Sequence, residues 1–247
     1  MTTAGRRFAN GRKVRLGDVD PKGRLRLDAL ARYLQDVAND DSVDAGRPPT
    51  EPWVVRKVSV DAGGGGNVDR RGGGWPRLHD WVELTTWCSG VGPRWAERTT
   101  TLSGPHGVVT AVALWVYVDA RTLLPARLPE QFHEVWAEAA GGRKVRGRLE
   151  HEDPPGGGVE WRPWPLRAVD HDVLDHMNNA VYWEPVEEVF GTRPPDRAEI
   201  EYRVPVTPGQ AVSLGMAEGG RLWLCGEDGT VHASVVVTWA GGPPGSG

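Results

Sequence analysis

Two stretches decide how this chain is read: GDVDPKGRL, residues 17–25, and VDHDVLDHM, residues 169–177. Aligned, Asp18 falls on Asp170, Asp20 on Asp172, Arg24 on His176 and Leu25 on Met177, all at one offset of 152 residues. Similarity at a fixed distance marks a repeated structural unit. A helical pattern follows each stretch. Leu27, Leu30, Ala31, Leu34, Val37 and Ala38 recur at spacings of three and four and predict one buried helix face. Met177, Ala180, Val181, Val186, Val189 and Phe190 do the same in the second copy. Pro185 is expected to kink that helix, because proline lacks an amide donor and crowds the preceding turn.

Strand patterns come next in both copies. WVELTTWCSG (81–90), RWAERTTTLSG (94–104) and GVVTAVALWVYVD (107–119) are rich in β-branched and aromatic residues between glycine turns. AEIEYRVPV (198–206), AVSLGMA (211–217), RLWLCGE (221–227) and TVHASVVVTWA (230–240) form the second set. A helix followed by a short-turned meander predicts an antiparallel sheet around a central helix. Two such sheets can join edge to edge and hide their unpaired strands. Trp115 and Trp239 close comparable strands at an offset of 124, which is 28 less than 152, so the first half holds about 28 extra residues. A glycine-rich insertion near 61–74 can supply part of them. The expected organisation is an N-terminal half over 1–140, a linker over 141–160 that contains DPPGGG, and a C-terminal half over 161–247.

Composition narrows the classes. At 247 residues and 39% hydrophobic, the chain can bury a large core. A net charge of -4 argues against a general nucleic-acid binder. The apolar run Val108 to Val118 is far short of the roughly 20 residues a membrane span needs. No apolar stretch follows the basic start, so no signal peptide is expected. The two cysteines, Cys88 and Cys225, form no CxxC pair, and a reducing cytoplasm is the simplest setting. Basic clusters at Arg6–Arg15 and Arg143–Arg148 read either as solvated loops or as a docking patch for an acidic partner. Twelve tryptophans suit a plain core or the wall of an apolar pocket.

The segment VDHDVLDHMNNAVY (169–182) concentrates polar chemistry. Asp172 can act as base or nucleophile, and His176 can move protons near neutral pH. Asn178 or Asn179 suits a helix start, where a side-chain oxygen accepts an orphan amide and a developing oxyanion would be stabilised. The same residues also read as a capping cluster with surface carboxylates. His171, Asp172 and His176 match no standard zinc spacing, so no metal is expected. No GxSxG occurs, and a buried strand cysteine such as Cys88 is usually inert.

These residues resemble the acyl-acyl carrier protein thioesterase family. The resemblance runs from about Val14 to Trp239, through GRLRLDALARYLQDVANDDS, WPRLHDWVELTTWCSG, ALWVYVDARTLLPARLP, DHDVLDHMNNAVYWEPVEE and AEIEYRVPVTPG. It implies an α+β tandem hotdog, with antiparallel sheets each wrapped around a long central helix. It implies a cofactor-free thioesterase acting on fatty acyl-acyl carrier protein in lipid metabolism. An acyl-CoA thioesterase, a hotdog hydratase and a non-catalytic acyl-thioester binding protein are the alternatives. A monomer or a homodimer would fit. The family motif resembles Asp-x-Asp-x-Asn-x-His-x-Asn-Asn, which makes Asp172 and His176 the catalytic pair, with Asn178 and Asn179 positioning substrate. Leu174 stands where plant members carry a catalytic Asn, and Pro205 and Val206 where they carry Glu and Cys. In the first copy Arg24, Arg26 and Leu27 replace His176 and the two asparagines. Asp20 resembles the catalytic aspartate of single-hotdog acyl-CoA thioesterases and is a second candidate.

Overall fold

Ten strands form one antiparallel sheet in a computed structural model that describes residues 5–47, 52–63, 74–191 and 193–240. The expected glycine-rich insertion falls largely on 64–73, outside the described residues. The strands are β1 (Phe8–Lys13), β2 (Trp53–Asp61), β3 (Trp81–Val91), β4 (Trp95–Gly104), β5 (Gly107–Tyr117), β6 (Glu160–Trp164), β7 (Arg197–Tyr202), β8 (Val212–Ala217), β9 (Arg221–Gly226) and β10 (Val231–Thr238). Their order across the sheet is β1-β3-β4-β5-β2-β7-β10-β9-β8-β6. Read inward from either edge, the same sequence of strands is met, so the internal repeat in the chain is also a repeat of topology. The seam is the antiparallel pair β2–β7, with Val58 opposite Ile200 and Lys57 opposite Glu201.

Strand alternation sorts the two faces. Val58, Val60, Ala198 and Ile200 point into a core shared with Leu27, Leu30, Tyr33 and Val37 of the helix α1 (Leu27–Asp44). On the opposite face, Glu201 is buried beneath the connector between the halves: the amides of Glu150 and His151 donate to its carboxylate at 2.6 and 3.0 Å. Lys57 and His151 reach Glu199 on the same face at 2.7 and 3.1 Å. A shorter helix, α2 (Glu130–Trp136), covers a smaller apolar cluster that includes Cys88, Ala96 and Phe132. Among the described residues no helix is long and apolar enough to cross a membrane.

The two helical segments differ more than their sequence patterns suggest. α1 runs for 18 residues, but its counterpart is a 3-10 turn, Val181–Trp183, followed by the seven-residue helix α3, Glu184–Phe190. Pro185 sits in the first turn of α3, where its missing amide costs nothing. It therefore begins a helix instead of kinking a longer one.

Candidate active site

Each repeat opens with the same hydrogen-bonded loop, built around an aspartate. In the first copy, a 3-10 turn at Leu16–Asp18 is closed by the Arg15 amide donating to Asp18 Oδ2 at 2.9 Å. Asp20 Oδ1 then accepts the amides of Lys22 and Arg24, both at 2.9 Å. Gly23 takes a left-handed conformation at φ 81°. In the second copy the 3-10 turn is Ala168–Asp170, and the Arg167 amide donates to Asp170 Oδ2 at 2.7 Å. Asp172 Oδ1 accepts the amides of Leu174 and His176 at 2.9 and 3.3 Å, and Asp175 is left-handed at φ 56°. The register matches to the residue: the Leu25 amide donates to Pro76 O and the Met177 amide to Val206 O, each at 2.8 Å. Asp20 and Asp172 thus share one structural duty, which is to hold a tight turn with one carboxylate oxygen.

The second oxygens separate the copies. Asp20 Oδ2 accepts Arg24 Nε at 3.0 Å, and both residues are buried. Arg24 also meets the Glu187 carboxylate from α3, with Nη1 at 3.2 Å and a second, shorter contact from Nη2. Glu187 Oε1 accepts the Leu27 amide at 2.7 Å. This last bond has a local cause: Arg26 is the N-cap of α1 and makes no side-chain cap, so a carboxylate from the other half satisfies the orphan donor. The first loop is closed by a cluster of two carboxylates around one guanidinium, with Asp20 and Arg24 buried and Glu187 partly so.

The second loop lacks that closure. His176 replaces Arg24, and its imidazole makes no hydrogen bond among the described residues; neither does Asp172 Oδ2. The offset that carries Asp20 onto Asp172 carries Leu27 onto Asn179 and Gln35 of α1 onto Glu187. The Asn179 amide has no acceptor among the described residues, while its carbonyl accepts Tyr202 Oη–H at 2.9 Å. Asn178 caps the turn locally, since its Oδ1 accepts the Ala180 amide at 2.9 Å. The structure places Asp172 and His176 in one tight turn, linked through the His176 amide and not by a side-chain contact. Leu174 is 69% exposed and takes no part in the turn beyond its amide. Tyr182, buried beneath the loop, accepts the Val206 amide at 3.3 Å. Burial, together with the negative charge of Asp172, pushes its phenol up to about 12, so it stays a neutral hydroxyl.

Two spaces share Gln35 in their walls. A groove of about 670 Å³ runs along the second loop past Arg167, His171, Asn178 and Val181. His171, which also borders a second groove, has a buried Nε2 without a hydrogen-bond partner. A cavity of about 220 Å³ lies between α1 and the sheet of the first half, walled by Trp53, Trp115, Phe132 and Trp136. Gln35 lines both spaces. Neither Gln35 nor Glu187 stands out in the sequence as a polar motif. The repeat offset alone could have found them, since it pairs these two residues as it pairs the loops.

Other chemistries find less support. Burial pushes the Cys88 thiol up, and its Sγ lies 3.6 Å from Gly90 O. Among the described residues, the group whose ligand atoms converge as a metal site would need is His151, Glu199 and Glu201 on the far face of the sheet. There the Lys57 ammonium already supplies the cation, 2.7 Å from Glu199. His171, Asp172 and His176 do not converge in this way.

The ten-stranded antiparallel sheet with its repeated strand order has counterparts among hotdog-type acyl-ACP thioesterases. Three solved structures share it over nearly the whole chain. A 12:0-ACP thioesterase from Umbellularia californica superposes with a TM-score of 0.74 at 18% identity, covering 96% of this chain and 98% of its own. An acyl-ACP thioesterase from Bacteroides thetaiotaomicron gives 0.77 at 16% identity, covering 94% and 97%. A putative oleoyl thioesterase from Lactobacillus plantarum gives 0.75 at 16% identity, covering 97% and 98%. At these identities the likeness speaks for the fold. The chain itself belongs to the acyl-ACP thioesterase family: the family's N-terminal domain matches residues 5–136 and its C-terminal domain residues 159–240. An uncharacterized protein of Mycobacterium tuberculosis is 28% identical over 213 residues, covering 84% of this chain and 81% of its own length. A chloroplastic acyl-[acyl-carrier-protein] hydrolase of Cuphea viscosissima is 25% identical over 163 residues, covering 61% of this chain and 37% of its own.

Proposed function

We propose that this chain hydrolyses an acyl thioester carried by acyl carrier protein, at the second loop. The observation that carries the reading is the asymmetry of the loops. One is closed by Arg24 and Glu187, while the other leaves Asp172 Oδ2, the His176 ring and the Asn179 amide unengaged, in a segment whose His171 and Asn178 line a groove that shares Gln35 with an aromatic cavity. On this reading the chain is a tandem hotdog in which each helix serves the loop of the other half, and the cavity takes the acyl chain.

In the proposed reaction Asp172 Oδ2 orients a water molecule and accepts its proton as the oxygen attacks the thioester carbon. The carbonyl oxygen gathers charge against the Asn179 amide and the Gln35 carboxamide. The carbon–sulfur bond then breaks, the free acid forms, and His176 gives a proton to the departing thiolate; Asp172 releases the proton it took to solvent, from which the imidazole is reprotonated. Acyl carrier protein is preferred over CoA because of the family. The setting is the cytoplasm, and fused halves allow a monomer to work alone.

The test is steady-state thiol release from acyl carrier protein and acyl-CoA panels by the wild type and by Asp172→Asn. Unchanged turnover in the variant removes Asp172 from the chemistry. A second reading, a non-catalytic acyl-thioester binder, draws on the exposed Leu174 and on Pro205, which stand where plant members carry polar catalytic groups. It predicts a retained acyl ligand with no thiol release on any carrier.

A further inference from the structure

The cavity beside α1 is not a plain hydrocarbon slot. Opposite its aromatic wall, Gln35, Asn39 and Ser42 line it from one face of the helix. Arg98 lines it from β4, between Cys88 and Ala113 on the inner face of the sheet. Arg98 Nη1 is engaged: it donates to Asp41 Oδ2 at 2.8 Å and to Thr86 Oγ1 at 3.2 Å. Its Nε and Nη2 donate to no described residue, and its side chain keeps 16% of its exposure. Asp41 is held from three sides, by Arg98, by Arg6 at 2.7 Å and by Trp136 Nε1 at 2.9 Å, and is 1% exposed. The guanidinium is therefore fixed in place with donors to spare.

A saturated chain lying against those donors would strip water from a cation and return nothing, which is costly. An oxygen on the chain would satisfy them with charge-assisted hydrogen bonds. The position of that oxygen follows from the helix. Gln35 marks the end of the cavity at the loop, and Asp41 and Ser42, beside Arg98, lie about two turns further, or about 10 Å along the axis. The oxygen sits far from the thioester, not on the carbons next to it.

We infer that the acyl group this protein takes carries a hydroxyl or oxo oxygen near its far end, received by Arg98. The inference rests on the cavity being the acyl slot of the proposed hydrolase, so its test is read by binding as well as by turnover. Isothermal calorimetry compares octanoate with ω-hydroxyoctanoate, and thiol release compares the matching thioesters on acyl carrier protein. The hydroxylated acid binds the wild type about tenfold more tightly, the worth of one hydrogen bond to a charged donor. Replacing Arg98→Met together with Asp41→Asn abolishes the preference without stranding a buried carboxylate. If that variant fails to fold, the wild-type ratio decides alone. Equal or tighter binding of plain octanoate overturns the inference. Loss of thiol release from every thioester with the hydroxyl preference intact overturns the hydrolase reading and leaves the oxygen-accepting pocket standing.

Discussion

Arg24 and Glu187 stand 163 residues apart in the chain and meet as a partly buried ion pair that joins the first loop to the helix of the second half. The pair does more than bind charge to charge. Glu187 also caps α1 through the Leu27 amide, and Arg24 also holds Asp20. Four groups from both halves are therefore satisfied together.

The members of the cluster are not equally costly to remove. Glu187→Ala takes away one of the two carboxylate partners of Arg24 and the cap of α1, while Asp20 still balances the guanidinium, and should lower stability by about 1–3 kcal/mol. The double substitution Arg24→Met with Glu187→Gln should lose more than Glu187→Ala alone, because it strands the buried Asp20 carboxylate without a cation. Urea denaturation of the three proteins checks the order.

The two aspartates share a turn but not a task. Asp172→Asn keeps an oxygen for the amides of Leu174 and His176, so the loop should persist with little change in melting temperature. On the proposed mechanism, thiol release should fall by about 100-fold or more. Asp20→Asn should leave turnover in place and cost stability instead, since Arg24 loses a charged partner. Melting curves and steady-state rates on the same samples separate the two.

Asp175 carries strain that its twin avoids. It holds φ 56° where the first copy has Gly23 at φ 81°. Asp175→Gly should stabilise the fold by about 0.5–1 kcal/mol, the cost of a left-handed side-chain residue less the added freedom of glycine when unfolded. The reverse change, Gly23→Asp, should cost a similar amount with no clash, as a new Cβ there would meet only Leu78 Cβ at 3.9 Å. A chemical denaturation series tests both signs.

The outer face should show its charge network in acid. Burial alone would raise the Glu199 carboxyl, but hydrogen bonds from His151 and Lys57 outweigh it and pull the group from 4.5 to about 2. A depressed carboxyl stabilises the fold fully above its unfolded value and loses that contribution as pH falls through the folded one. Glu199→Gln should therefore trail the wild type by a constant margin, about 1–3 kcal/mol, from neutral pH down to about 4.5, and the gap should close toward pH 2. Urea midpoints across that range measure it.

Much of this arrangement was legible in the chain because a repeat exposes itself. The loops at 17–25 and 169–177 share their hydrogen bonds as they share their aspartates, and α1 follows its apolar spacing. Strands β3, β4 and β5 and strands β7 to β10 fall where β-branched runs lie between glycines. Strands β1, β2 and β6 escaped notice for physical reasons. β2 carries Arg56 and Lys57 at a bulge that breaks its alternation, β1 is mostly polar, and β6 is five residues long and holds Pro163. The helix α2 spans only two turns. The pairing of Arg24 with Glu187 is a tertiary fact, which periodicity within one segment cannot reveal.

The closure at Arg24 has a further consequence. Two loops with one backbone differ in what they offer an outside molecule: the first has spent both carboxylate oxygens of Asp20 within the protein, whereas the second keeps one oxygen of Asp172 in reserve, so the likeness of the halves ends at the backbone.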